Sequence, residues 1–124
     1  MKIRPWGVAL ALVVTLAATA AQAMSVREFL STAAGIPRNP TALLRSDARR
    51  LIGEVRAAGA TLRSEHDAAV AAGRRPAYCS PEGRISISSN ALLARFNAIP
   101  ESRRDISVTQ AMREWMAERY PCPA

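Results

Sequence analysis

Chemistry in this chain would have to come from few side chains. These are one histidine, His66, a serine cluster at Ser80, Ser86, Ser88 and Ser89, the cysteines Cys79 and Cys122, and two arginine pairs. An imidazole works as a general acid or base only with a nucleophile or second acid–base group in reach. On a helix, the neighbours of His66 three and four positions away are Leu62, Arg63, Ala69 and Val70, and none supplies one. By helical angle His66 falls within an apolar arc, so it reads as a structural, hydrogen-bonded histidine. No Gly-x-Ser-x-Gly turn surrounds any of the serines, which read as turn and cap residues. The carboxylates are dispersed along helix flanks, and there is no glycine-rich phosphate loop. Met112, Trp115 and Met116, at helical spacing, read as core rather than as a ligand pocket. The expectation is a protein that is not an enzyme and takes no cofactor and no metal. The competing reading is an enzyme built around His66.

Cys79 and Cys122 match no zinc or redox spacing, and one histidine cannot complete a metal site with them. Two cysteines in an oxidising compartment pair as one disulfide. Closing a loop of about 43 residues restricts the unfolded chain by about 4 kcal/mol on the chain-entropy account. Arg74-Arg75 precedes Cys79, and Arg103-Arg104 follows Pro100. Both pairs fall in expected exposed loops, where binding residues concentrate. Arg74, Arg75, Arg103 and Arg104 are therefore the candidate partner-binding residues.

The compartment is read from residues Met1–Ala23. Lys2 and Arg4 give a positive start, Val8–Leu16 is an uncharged apolar run, and Ala21 and Ala23 make an A-x-A cleavage site. That is the pattern of a secretory signal peptide. The run is shorter than the roughly 20 residues a membrane-spanning helix needs. The expected mature chain, residues 24–124, is a single helical domain, periplasmic or secreted, with no stable membrane span. It keeps 15 arginines against 10 acidic residues, a formal charge of +5, and has no lysine. A GC-rich genome accounts for such arginine usage. An exported basic protein meets no nucleic acid, and its surface suits an acidic protein or an anionic envelope polymer.

The elements that would position these residues are helices. Ser25–Glu28 opens the mature chain as a capping box, with Val26, Phe29, Leu30 and Ala33 at helical spacing and Gly35 and Pro37 as the stop. Asn39-Pro40 starts a short turn through Leu44. Ser46 is expected to cap a helix reaching about Ala72. Its apolar arc takes in Ala48, Leu51, Ile52, Val55, Ala58, Gly59, Leu62, Ala69 and Val70. Arg49, Arg56 and Arg63 edge that arc on one side, and Asp47, Glu54 and Glu65 on the other. Such a helix is about 39 Å long, so a bend near Gly59 or fraying after Asp67 is expected. After a turn-rich link at Cys79–Gly83, Ile85 and Ile87 alternate with serines as a short extended piece. Ser88 or Ser89 starts a third helix with Leu92, Leu93, Phe96 and Ile99 on one face. A second capping box, Ser107–Gln110, opens the last helix, which Tyr120-Pro-Cys-Pro123 ends. The expected fold class is all-α: a small bundle of about four helices with one disulfide.

Tyr78-Cys-Ser-Pro-Glu-Gly83, the helix stop at Ile99-Pro100, the Glu-Ser-Arg-Arg turn and the closing Arg119-Tyr-Pro-Cys122 together resemble a known pattern. It is similar to that of the small exported immunity proteins that neutralise type VI secretion amidase effectors, the resistance-associated or Tai-type family. The resemblance covers Tyr78 to Cys122. It implies a helical fold in which Cys79 and Cys122 bridge, and a protein partner, a cell-wall amidase, blocked by occlusion of its cleft. Many members carry a further cysteine pair in their N-terminal helices, which this chain does not have. Thr41–Arg56 looks more like uncharacterised exported proteobacterial proteins. The leading expectation is a non-enzymatic exported binding protein of the immunity kind. The alternative is an envelope structural or stress protein that holds anionic polymer through its arginines.

Overall fold

The computed structural model describes residues 23–81 and 86–124. Residues 1–22, which carry most of the expected export signal, lie outside the described residues. So do residues 82–85, which hold Glu82, Gly83 and Ile85 of the expected link.

Within the described residues the fold is all-α, a small bundle of four helices with a Cys79–Cys122 disulfide. Helix α1 is Val26–Ala34, α2 is Ser46–Ala71, α3 is Ser89–Asn97 and α4 is Val108–Arg119. Single 3-10 turns at Pro40–Leu44 and Glu101–Arg103 precede α2 and α4.

Three helices start on serine caps. The hydroxyls of Ser25, Ser88 and Ser107 accept from the amides of Glu28, Ala91 and Gln110 at 3.0–3.1 Å. Each satisfies one of the first-turn amides a helix leaves unpaired. The two capping boxes close on one side only. Glu28 turns away to Arg50 (2.6 Å), and Gln110 turns to Glu114 (3.0 Å), because a charged partner from a neighbouring turn or helix outcompetes the local amide. The expected Ser46 cap is displaced by one position. Arg45 is the cap residue and makes no side-chain cap bond, while Ser46 is the first helical residue. The local amide is served instead by Asp47, whose carboxylate accepts from Ala48 N–H and from Arg45.

Helix α2 does not fray after Asp67, and its 26 residues run unbroken through Gly59. It stops where Gly73 adopts φ +70°. Arg74 N–H donates to the Ala69 carbonyl and Gly73 N–H to that of Val70, the Schellman closure that favours glycine at this point. Along α2, Ala48, Leu51, Ala58, Leu62 and Ala69 are buried. Ile52 and Val70, expected on the buried arc, are 36% and 57% exposed. Each lies one residue, about 100°, round the helix from a buried neighbour, and the bundle covers a narrower stripe than the apolar arc.

The core forms where α4 crosses α1, α2 and α3. Val108, Ala111, Met112 and Met116 present the inner face of α4 to Leu62, Val26 and Phe96. Phe29 and Phe96 meet edge to face at 5.3 Å, a geometry the ring quadrupoles favour. Met24 is also buried, and its carbonyl accepts from Val108 N–H at 2.9 Å. The first residue of the expected mature chain is thus part of the core.

Candidate functional site

The four arginines singled out in the sequence fall at opposite ends of α4. Cys79 N–H donates to the Tyr120 carbonyl at 2.8 Å, and the disulfide holds Cys79 beside Cys122. That fixes the 74–79 segment at the C-terminal end of α4. Arg103 and Arg104 lie in the turn that leads into its N-terminal end. The two pairs are therefore separated by about 18 Å of helix.

Three of the four are also engaged in the fold. Arg75 donates to the Cys122 carbonyl at 2.6 Å and braces the chain end. Arg104 donates to the carbonyls of Ile99 and Asn97 at 3.0 and 2.9 Å, closing the C-terminus of α3 with a cation where the helix dipole favours one. Arg103 pairs with Glu114 at 3.1 Å and holds that carboxyl below the usual carboxylate range. Arg74 is exposed and makes no such bond among the described residues.

His66 is a quarter exposed. Its ring tilts against Tyr78 at 5.1 Å, and Nδ1 lies 3.6 Å from the Asp67 carboxylate. Tyr78 is buried, and burial pushes its hydroxyl above the ordinary tyrosine value, so it stays protonated at neutral pH. Among the described residues no group of three His, Cys, Asp or Glu side chains could hold a metal ion.

Tracing the ion pairs isolates a second set of arginines. Glu28 goes to Arg50, Glu65 to Arg113, Glu118 to Arg95, and Glu101 with Asp105 to Arg27. These pairs link α1 to α2, α2 to α4, α3 to α4, and α1 to the turn before α4. They are exposed or half-buried and add little energy individually, about 0–1 kcal/mol each, but they define which helix faces meet. Arg113 holds the Glu65 carboxyl below its ordinary value through a bidentate contact at 2.8–2.9 Å. With the acids so engaged, Arg38, Arg56, Arg63 and Arg74 are exposed and without a hydrogen-bonded or ionic partner among the described residues. Four more described arginines lack a carboxylate partner: Arg49, Arg75 and Arg104 donate to backbone carbonyls, and Arg119 lies over Trp115 and Tyr120.

Arg38 and Arg56 also edge an open groove of about 640 Å³ between α1, the Pro40–Leu44 turn, α2 and α3. Buried Phe29, Leu51 and Leu92 form its floor, one from each of the three helices. Leu43, 64% exposed, and Ile52 stand at its rim. Among the described residues the lining contains no acidic residue. The apolar periodicity of the helices gives the floor residues. No local pattern announces the groove, because it exists only once four separate segments are packed. The split between engaged and unengaged arginines was equally hidden, since its deciding pairs join residues as far apart as Arg27 and Asp105.

No protein-family model, no curated protein and no solved structure matches this chain. Among the described residues no helix is long and apolar enough to cross a membrane.

Proposed function

We propose that this is a non-enzymatic exported binding protein that docks an acidic protein surface through the arginines its own fold leaves unengaged. The observation that carries this reading is that six of the nine described acidic side chains are held in ion pairs between segments, while Arg38, Arg56, Arg63 and Arg74 stay exposed without a partner among the described residues. Arginine suits the task, because its planar fork meets carboxylates bidentately and stays charged at any physiological pH. The surroundings of His66, an aromatic ring and a carboxylate without a nucleophile, support a structural role for it. The resemblance of Tyr78–Cys122 to amidase immunity proteins names the specific form: a steric block laid over the acidic rim of a cell-wall amidase cleft.

The test is peptidoglycan cleavage by a secreted cell-wall amidase encoded beside this gene, with the purified protein titrated in. Stoichiometric inhibition that weakens at high salt supports the reading. Full activity with excess protein contradicts the immunity form. A second reading uses the same four arginines to hold an anionic envelope polymer. Salt-sensitive retention on lipopolysaccharide or peptidoglycan, without inhibition, would favour it.

A further inference from the structure

We propose that the groove between α1, α2 and α3 binds one single-chain lipid with an anionic headgroup. The acyl chain lies over Phe29, Leu51 and Leu92, and Arg38 and Arg56 meet the head charge. This goes beyond protein docking: the groove takes Arg38 and Arg56 from the four unengaged arginines, and neither Arg63 nor Arg74 lines it.

The groove's floor is apolar on all three helices, and Leu43 and Ile52 extend that surface to the rim, where both are exposed to water. Among the described residues its charged lining is two arginines, neither has a partner, and no carboxylate lines the groove with them. The neutral polar side chains among its described lining are three, Ser88, Ser89 and Asn97, all on α3 or its cap. The Ser88 hydroxyl accepts from Ala91 N–H, and the Asn97 amide donates to the Leu93 carbonyl. An extended peptide laid there would leave its own N–H and C=O groups unmatched, a cost native structures avoid. A helix satisfies its backbone internally. With side chains it is about 10–12 Å across, so at full depth the groove's volume of about 640 Å³ takes fewer than two turns. The same volume lies inside the range of about 300–1,000 Å³ typical of small-molecule sites, which are mostly apolar with a few placed polar groups. A monoacyl anion matches all three features: no backbone to satisfy, one apolar chain and one negative head.

The experiment is isothermal titration of the purified protein with four twelve-carbon probes, each below its critical micelle concentration. They are dodecanoate, dodecyl phosphate, dodecyl maltoside and dodecyltrimethylammonium. The expected result is 1:1 binding of an anionic probe at least tenfold tighter than the maltoside, and no measurable binding of the cation. An Arg38→Gln, Arg56→Gln double variant should lose that preference while keeping its affinity for the maltoside. Ile52→Glu, at an exposed rim position, should abolish binding of the anions with its thermal melt unchanged. Equal binding of all four probes, binding of none, or an unaltered double variant would overturn the proposal. So would an acidic amphipathic peptide that occupies the groove when the anionic probes do not. An Arg63→Glu, Arg74→Glu variant separates the two readings: it should bind the probes as wild type does, whatever its effect on a protein partner.

Discussion

Ser25 and Ser107 face each other across an isolated antiparallel bridge, and each is the N-cap of the helix that follows it. Val26 N–H donates to the Ile106 carbonyl and Val108 N–H to that of Met24, both at 2.9 Å. These are first-turn amides that no intrahelical carbonyl can reach. The starts of α1 and α4, some eighty residues apart in sequence, thus satisfy each other's unpaired donors. This junction sets how α1 meets α4, and with it the position of Phe29 in the groove floor.

Removing either cap hydroxyl should therefore be felt at both helices. Ser25→Ala and Ser107→Ala should each lower stability by about 1 kcal/mol in urea melts. Because the two share one junction, the double variant should depart from the sum of the singles by about 0.5 kcal/mol or more. Strict additivity would show that the bridge does not couple the two helices.

The disulfide should matter more than the histidine. Cys79 and Cys122 fasten a loop and the chain end, which otherwise share only the Cys79–Tyr120 backbone bond and the Arg75 brace. Cys79→Ser should cost about 2–4 kcal/mol. His66→Ala removes one ring contact with Tyr78 and should cost less. A Cys79→Ser protein that melts like wild type would remove the bridge from the stability account.

Acid should weaken the fold through the paired carboxylates. Glu65 and Glu114 have folded-state values below the ordinary one, held there by Arg113 and Arg103. The unfolded chain then binds more protons as pH falls, so their stabilisation is complete above the ordinary carboxylate range, near pH 4.3. It is lost as pH drops through the lowered folded values. Both side chains are partly exposed, so the effect is modest. Urea melts from pH 7 to pH 2.5 should show a shallower acid decline in a Glu65→Gln, Glu114→Gln variant than in wild type. Parallel declines would mean that these pairs add nothing.

Export makes a prediction at the chain start. Met24 is buried and bonded to Val108, so a mature form cut after Ala23 keeps every described contact of the core. Intact mass of the periplasmic protein should match a chain starting at Met24 or within a few residues of it. A full-length protein retained in the membrane would contradict the signal-peptide expectation.

Most of the architecture was legible along the chain, because helices declare themselves locally. Apolar residues at 3.6 spacing, serines at the caps of α1, α3 and α4, and Gly73 at the end of α2 all act within a few residues. The start of α2 misled by one position, since Asp47 and Arg45 satisfy each other and the Ala48 amide better than Ser46 does. The long α2 runs to Ala71 without fraying because its buried stripe packs on α1, the Pro40–Leu44 turn and α4 in succession, although a helix of that length in so small a domain suggested a bend or a frayed end. What the chain did not disclose depends on distant pairings. Arg103 and Arg104 looked like free loop charges until Glu114 and the end of α3 were placed beside them. Arg56 and Arg63 looked like an ordinary solvated helix edge, and only the placing of Glu65 against Arg113 and of Glu28 against Arg50 sets them apart from the paired arginines.

The central claim is that some arginines build the fold while others are kept for a partner. It is tested most directly by charge reversal in two groups, measuring affinity for the neighbouring amidase and melting temperature together. Arg56→Glu, Arg63→Glu and Arg74→Glu combined should leave the melt near wild type, slow association, and reduce affinity at least tenfold at low salt. Arg50→Glu with Arg113→Glu should lower the melt, through the lost pairs and new repulsion with Glu28 and Glu65, and leave affinity of the folded protein unchanged. The opposite pattern, with affinity following the paired arginines and not the unengaged ones, would contradict the account.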